Sequence, residues 1–216
     1  IGAKCPCMDL NGACVGFIYC LDIAEAYYKI GRVKNVLVVS AEEPSGMLNW
    51  HDRTCSVLFG DGAGAAVLTP GDNIKATRLS ASPACDRLCE RRELQYTPFN
   101  TKTDVNMPLV MHGQDVFKFA TNAAIKDLSA LLTTLNISAN DIDTFLIHQA
   151  NLRIIKSIQD YLEQPKEKFP VIIHKYGNTS SASLPMLLGE LNRDGKLKSG
   201  DMLALSAFGA GFVSGA

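Results

Sequence analysis

What the 216-residue sequence lacks already excludes several classes of protein. No apolar run approaches the ~20 residues a bilayer-spanning helix requires, and the opening IGAKCPCMDL has neither the basic stretch nor the small-residue cleavage site of a secretion signal. A cytoplasmic protein that meets no membrane is the expectation. Charge of either sign is not in excess: 21 Lys and Arg stand against 22 Asp and Glu, which leaves no global attraction for nucleic acid or anionic lipid. A charged partner has to be met by a local patch. The seven cysteines lack the even number and regular spacing of a disulfide framework, so reduced thiols are expected, one of which can be chemical. No second pair stands at zinc-ligand spacing beside Cys5 and Cys7 or Cys85 and Cys89, and no metal site is expected. Low-complexity stretches and short repeats are also missing. With 47% hydrophobic and 20% charged residues, the composition is that of a globular domain and excludes disorder and a fibrous repeat.

Periodicity supplies the elements. CMDL is a short apolar strand-like stretch, and from Cys14 the residues Phe17, Ile18, Leu21, Ala24 and Tyr28 recur at the steps of one helix face. Asn11 and Gly12 cap this helix and Gly31 ends it, so Cys14 falls in its first turn. VKNVLVVSAE is β-branched and too continuously apolar to be half exposed, which predicts a buried strand of the parallel kind. Trp50, His51 and Arg53 lie in a loop. CSVLFGDGAGAAVLTP is two apolar runs around a glycine-rich turn; its glycines precede a β-like run and not a helix, so it is no dinucleotide fingerprint. Asp72 to Val110 reads as an insertion or a pair of short strands with loops, and its basic cluster Arg87, Arg91 and Arg92 as a solvated face.

Gly113 to Leu135 forms a long helix with a broad apolar face, and Ser138, three residues ahead of Asp141, caps a short helical turn. TFLIH is a buried strand ending at His148, followed by a helix with Ile154, Ile155, Ile158, Tyr161 and Leu162 on one side, which Pro165 ends. VIIH reads as another strand, YGNTSSAS as a polar loop, and LPMLLGELNRDG as a helix whose early Pro185 suits a first turn. DMLALSAF is a last strand that enters a glycine turn which nothing follows. The rhythm is α/β.

Three residues stand where chemistry is possible. Cys14 opens a helix, where unpaired N–H groups and the dipole favour a thiolate, so a lowered pKa is expected; the plain alternative is a small buried apolar residue. Gly12 and Gly16 on either side permit close approach of backbone or substrate. His148 stands at the carboxyl end of a strand, beside Gln149, Ala150 and Asn151, whose two amides can cap the next helix or bind a polar ligand. Asn178 follows Gly177 in YGNTSSAS and, alone, reads as a turn former. If each follows a strand, the three converge at one end of one sheet.

The stretches NGACVGF, FGDGAGAAVL, HGQDVFKFA, FLIHQANLRII, YGNTSSASLP and AFGAGF, in this order and spacing, closely resemble β-ketoacyl-acyl-carrier-protein synthase III, a thiolase-fold family. The resemblance covers nearly the whole chain. It implies two related α/β halves with central mixed sheets sandwiched by helices, residues 1–110 as the remainder of an N-terminal half and 111–216 as the C-terminal half. It implies further that Cys14 accepts an acyl group from coenzyme A, that His148 and Asn178 stabilise the enolate formed when malonyl-carrier protein loses carbon dioxide, and that backbone N–H groups of Cys14 and Ala210 hold the second oxyanion. Arg53 matches a coenzyme A contact, Phe117, Ala150 and Asn151 match the pantetheine tunnel, Lys118 and Arg153 match the contact with the acidic carrier, and Phe208 flanks the nucleophile. In this light the arginine cluster is alternatively a secondary carrier contact. Coenzyme A thioester is then a substrate, no cofactor is tightly bound, and a homodimer is implied.

Within that resemblance the Cys, His, Asn set looks like the initiating, coenzyme A-primed branch of the superfamily and unlike elongating synthases and thiolases; plant-type polyketide synthases share the set but not the surrounding motifs. Two departures stand out: Val213 and Ser214 follow Phe212 where the family commonly has Thr-Trp, and the first strands of the N-terminal half and the end of the last strand are expected to be missing. The rival readings are a related acyltransferase or polyketide- or ester-forming synthase of the same fold, making esters or amides without decarboxylative condensation, and an inactive truncated homologue serving as a binding subunit.

Overall fold

The computed structural model describes residues 2, 4–84, 86–92 and 106–216; Cys85 and part of the Asp72–Val110 stretch lie outside them. Its centre is a four-stranded sheet of order β3-β8-β7-β6, made of β3 (Leu79–Ala81), β6 (Thr144–Ile147), β7 (Leu203–Gly209) and β8 (Val213–Gly215). Strands β6 and β7 are parallel, while β7–β8 and β8–β3 are antiparallel. Because successive strand residues face opposite ways, Phe145 and Ile147 enter one core and Leu146 the other, and Phe208 and Ala207 divide likewise.

Helices cover both faces. On the side of Phe145 and Ile147 lie α2 (Gly113–Leu135), through Ala120, Ala124 and Leu128, and α3 (Leu152–Leu162), through Ile154, Ile155 and Ile158. On the side of Leu146 lie α1 (Gly16–Lys29), through Phe17 and Ile18, and α5 (Ser183–Arg193), through Leu184, Leu187 and Leu191. Beyond α1 and α5 comes a two-stranded antiparallel sheet, β1 (Val36–Glu42) with β2 (Gly62–Leu68). A hairpin of β4 (Leu88–Arg92) and β5 (Asn106–Met111), and the short helix α4 (Ile173–Tyr176), complete the elements. No described helix is long and apolar enough to cross a membrane.

The sequence rules place several ends as expected. Helix α1 stops where Gly31 takes φ +69, and α2 runs from Gly113 to Leu135 with Asn136 left-handed at φ 53. Asn151 caps α3 by accepting the Arg153 N–H at 2.9 Å, and Ser138 donates its N–H and hydroxyl to Asp141.

Other expectations are corrected. Strand β1 is antiparallel to β2, and only one of its faces packs: Leu37 and Val39 are 55% and 54% exposed, beside Val67 at 68%. Its apolar residues fall on both faces, but among the described residues only the Val36, Val38 and Ser40 face is covered by helices. CMDL forms no strand and is exposed, and Cys14 sits in a 3-10 turn, Ala13–Val15, ahead of α1. The VIIH segment turns into α4, because Ile172 and Ile173 give their N–H groups to the Gln149 side chain and not to a neighbouring strand. Tyr161 is exposed on α3. The chain past the glycine turn returns as β8 and pairs with both β7 and β3.

A buried carboxylate ties this return in place. Asp127 of α2, 1% exposed, accepts from Arg78 Nε at 2.9 Å, from Ser80 Oγ at 3.0 Å and from Ser214 Oγ at 2.6 Å, joining α2 to β3 and β8. Replacing Asp127 by Ala removes the shared acceptor and is expected to cost about 3 kcal/mol of unfolding free energy, at the low end for a broken buried pair because Arg78 stays partly solvated. Asp127→Asn, which keeps one acceptor, should cost about half as much; urea denaturation of the two variants measures both, and equal losses would contradict the charge-pairing account.

Candidate active site

A cavity of about 1890 Å3 bounded by α1, β1, the start of α2 and the end of β7 is lined by Cys14, His148 and Asn178 together, with Phe208, Gly209 and Ala210. Each of the three side chains arrives there by a different device.

Cys14 is presented by a tight turn in which the preceding Ala13 takes φ 47, a left-handed conformation that a side chain disfavours. Asn11 supports the turn by accepting the Ala13 N–H at 3.1 Å, and Gly12 O takes the Val15 N–H at 3.0 Å. The end of β7 lies directly against it: a Cβ at Gly209 would stand 3.0 Å from both Cys14 Cβ and Cys14 N, so a side chain there would press on the turn that presents the thiol.

His148 follows β6 and is 1% exposed. Its N–H bonds Ser206 O at 2.8 Å, its Nδ1 lies 2.6 Å from Ser183 Oγ, and its ring meets Phe208 edge to face at 5.4 Å. Burial lowers its pKa to about 3, so the ring is neutral at physiological pH.

Asn178 is held by the FGDG segment. Its N–H donates to Leu58 O at 2.8 Å and its carbonyl accepts the Gly60 N–H at 3.0 Å, a two-residue parallel pairing with Phe59. The fit is close enough that a Cβ at Gly60 would lie 2.0 Å from Tyr176 O, and Gly177 turns the chain at φ 68. The Asn178 Oδ1 accepts the Ser180 N–H at 2.9 Å, which commits the oxygen and leaves the Nδ2 hydrogens as donors. The glycine-rich motif is thus more than a turn: it fixes the loop that carries the amide. Asn178 follows α4 and not a strand, so the convergence comes through this pairing.

The electrostatics of Cys14 correct the expectation of a lowered pKa. Burial pushes the thiol up to about 11; a hydrogen bond from Ser180 works against this, the Glu42 carboxylate adds to it, and the backbone N–H of Cys14 lowers it slightly. Glu42 lines the same cavity and accepts from the Ser181 hydroxyl. Neither Glu42 nor Ser183 is visible as a site residue in the sequence, since each approaches across the fold.

Of the other residues singled out, Phe117, Ala150, Asn151 and Ala210 line the cavity. Asn151 spends its oxygen on the α3 cap, and Gln149 is wholly structural: its Nε2 donates to Ile147 O at 2.8 Å and its Oε1 accepts from Ile172 and Ile173. Arg53, Lys118 and Arg153 are exposed and do not line the cavity, although Thr54 and Phe117, neighbours of the first two, do. The side chains of Arg91 and Arg92 are outside the described residues, and Arg87 pairs with Asp86 and Asp115. No group of metal ligands forms among the described residues.

Residues 8–85 match the model of the family described as 3-Oxoacyl-[acyl-carrier-protein (ACP)] synthase III, and residues 132–216 match the model of its C terminal part. The beta-ketoacyl-[acyl-carrier-protein] synthase III of Helicobacter pylori (strain ATCC 700392 / 26695) is 41% identical over 97% of this chain and 65% of that protein. The enzyme of the same name from Clostridium novyi (strain NT) is 41% identical over 100% of this chain and 68% of that protein. The crystal structure of 3-oxoacyl-[acyl-carrier-protein] synthase III from Aquifex aeolicus VF5 superposes with a TM-score of 0.86 at 38% identity, covering 96% of this chain and 65% of that one. The chain therefore spans 65% of the length of the Helicobacter relative.

A thiol held near pKa 11 gains thiolate about tenfold per pH unit below that value. The rate at which iodoacetamide alkylates Cys14, followed on its peptide by mass spectrometry, is expected to climb with that slope from neutral pH to about pH 10. A plateau near neutrality would show a thiolate stabilised in the way the helix-start argument had suggested.

Proposed function

Because the chain belongs to the 3-oxoacyl-[acyl-carrier-protein] synthase III family, we propose that it carries the condensing site of an initiating synthase, which joins a short acyl group from coenzyme A to malonyl-acyl-carrier protein. The thiolase-like fold, with mixed sheets between helices, is common to it and the solved relatives. The observation that carries the proposal is the presence of a thiol, a neutral buried imidazole and a primary amide with free hydrogens in the lining of one cavity.

In the first half-reaction Cys14 sulfur attacks the acyl-coenzyme A carbonyl, the new C–S bond forms, and coenzyme A departs with the thiol proton. In the second, malonyl-carrier protein loses carbon dioxide and the electron pair of the broken C–C bond becomes an enolate. His148 and the Asn178 Nδ2, both buried residues, donate hydrogen bonds to its oxygen, where the negative charge develops. The enolate carbon then attacks the acyl-Cys14 carbonyl, whose oxyanion faces the N–H groups of Cys14 and Ala210, and the Cys14 thiolate leaves and is reprotonated. A histidine that stays neutral suits this role: it donates without having to surrender a proton.

Coenzyme A is assigned a path past Phe117, Ala150 and Asn151, with Arg53 at its phosphate end, and the acidic carrier protein a contact with Lys118 and Arg153. In the proposal the chain works in the cytoplasm as part of a homodimer, without a tightly bound cofactor, and residues 1–110 and 111–216 contribute to two related halves. Across that proposed division β3 pairs with β8.

Variants separate the two half-reactions. Cys14→Ser should abolish formation of the acyl-enzyme, seen as loss of the acyl mass on the protein after incubation with acyl-coenzyme A. His148→Ala and Asn178→Ala should keep that mass shift but lower malonyl-dependent carbon dioxide release by about 100-fold or more, the usual loss when an oxyanion donor is removed. An acyl-enzyme without any malonyl-dependent carbon dioxide release in the parent protein would favour simple acyl transfer instead, and no acylation of Cys14 would favour a binding role.

A further inference from the structure

The Ser183 hydroxyl is fully buried and stands at the first residue of α5, between two partners. Its Oγ lies 2.6 Å from His148 Nδ1 and takes the Gln149 N–H at 3.4 Å. A backbone N–H can only donate, so one lone pair of the hydroxyl is taken and its own hydrogen needs an acceptor. Among the described residues the sole acceptor in reach is His148 Nδ1. Were Nδ1 protonated, Ser183 would accept twice and its hydrogen would be buried without a partner, a state that costs as much as a lost hydrogen bond or more.

We propose that Ser183 sets the tautomer of His148: by donating to Nδ1 it fixes the single ring proton on Nε2, the nitrogen not bound to Ser183. The functional part of this inference rests on the condensation reading above, since it is there that a donor at Nε2 stabilises the enolate. Ser183 touches no reacting atom and is a positioning residue. The arrangement also explains why the hydroxyl comes from the start of α5. Ser181, earlier in the same loop, is committed to Glu42, so two serines of YGNTSSAS serve different partners.

The test reads the tautomer directly. In protein labelled with 15N histidine, the His148 ring signals are identified by their absence in His148→Gln, and the four histidines of the chain make the spectrum simple. The expected result is an unprotonated, hydrogen-bonded Nδ1 and a protonated Nε2 in the parent protein. Ser183→Ala should shift the Nδ1 signal and populate the other tautomer, and Ser183→Thr, which keeps the hydroxyl, should restore the parent pattern. A protonated Nδ1 in the parent protein, or an Nδ1 signal unmoved by Ser183→Ala in a variant that retains the parent circular dichroism, overturns the proposal. In the kinetic arm, Ser183→Ala should lower kcat for malonyl decarboxylation about tenfold with KM unchanged and acylation of Cys14 intact, with recovery in Ser183→Thr. Equal losses in Ala and Thr would overturn the functional half. The spectroscopic arm decides the tautomer whether or not the protein condenses, so its failure is distinct from a failure of the proposed reaction.

Discussion

An imidazole sealed from water has nothing to solvate a positive charge, and the arrangement around His148 follows from that cost. The ring stays neutral and must therefore place one proton and one lone pair. Ser183 addresses the lone pair, Phe208 fills the space beside the ring, and Ser206 anchors the backbone. The next residue, Gln149, is drawn into the same economy of buried polar groups: all of its side-chain capacity goes to backbone of the β6 end and of the α4 approach. That demand draws the Ile172 and Ile173 N–H groups to Gln149 at the approach to α4. A neutral histidine also offers no counter-ion to Cys14. The thiol, desolvated and facing Glu42, keeps its proton, and the proposed attack forms the C–S bond as the proton leaves for the departing sulfur.

The site depends on backbone proximity as much as on side chains. Gly209 against Cys14 and Gly60 against Tyr176 are places where a methyl group would collide with main chain. Main chain moves only with its whole element, so these contacts set the spacing of nucleophile, β7 and the Asn178 loop more rigidly than side-chain packing does. Asp127 plays a comparable part at distance, pinning β3 and β8 to α2 and with them the turn that carries Ala210.

Much of this was legible in the residues. The 3.6-residue periodicity drew α2 to its ends, and α1, α3 and α5 nearly so, because each helix has a continuous apolar face and a recognisable stop. The three cavity residues were legible from glycine and amide context together with six motifs in order. Other features were hidden for physical reasons. The direction of β1 depends on its partner, and a strand apolar on both faces looks buried wherever its second face ends up. VIIH is too short for periodicity to separate strand from helix, and the decisive contact comes from Gln149, far back in the sequence. The Cys14 thiol was expected to be acidic from its position at a helix start, but the local dipole is outweighed by desolvation and by a carboxylate from the end of β1.

The clamp between Leu58, Gly60 and Asn178 bears on how this chain can be taken apart. The amide donor belongs to the C-terminal segment, yet the main-chain bonds that orient its loop are supplied from before residue 110. A polypeptide beginning at residue 111 would keep His148, Ser183 and Asn178 in its sequence and lose the template that aims the last of them. Dissection, permutation or exchange of halves between relatives therefore has to carry FGDG and YGNTS as one inheritable unit, however far apart they are written.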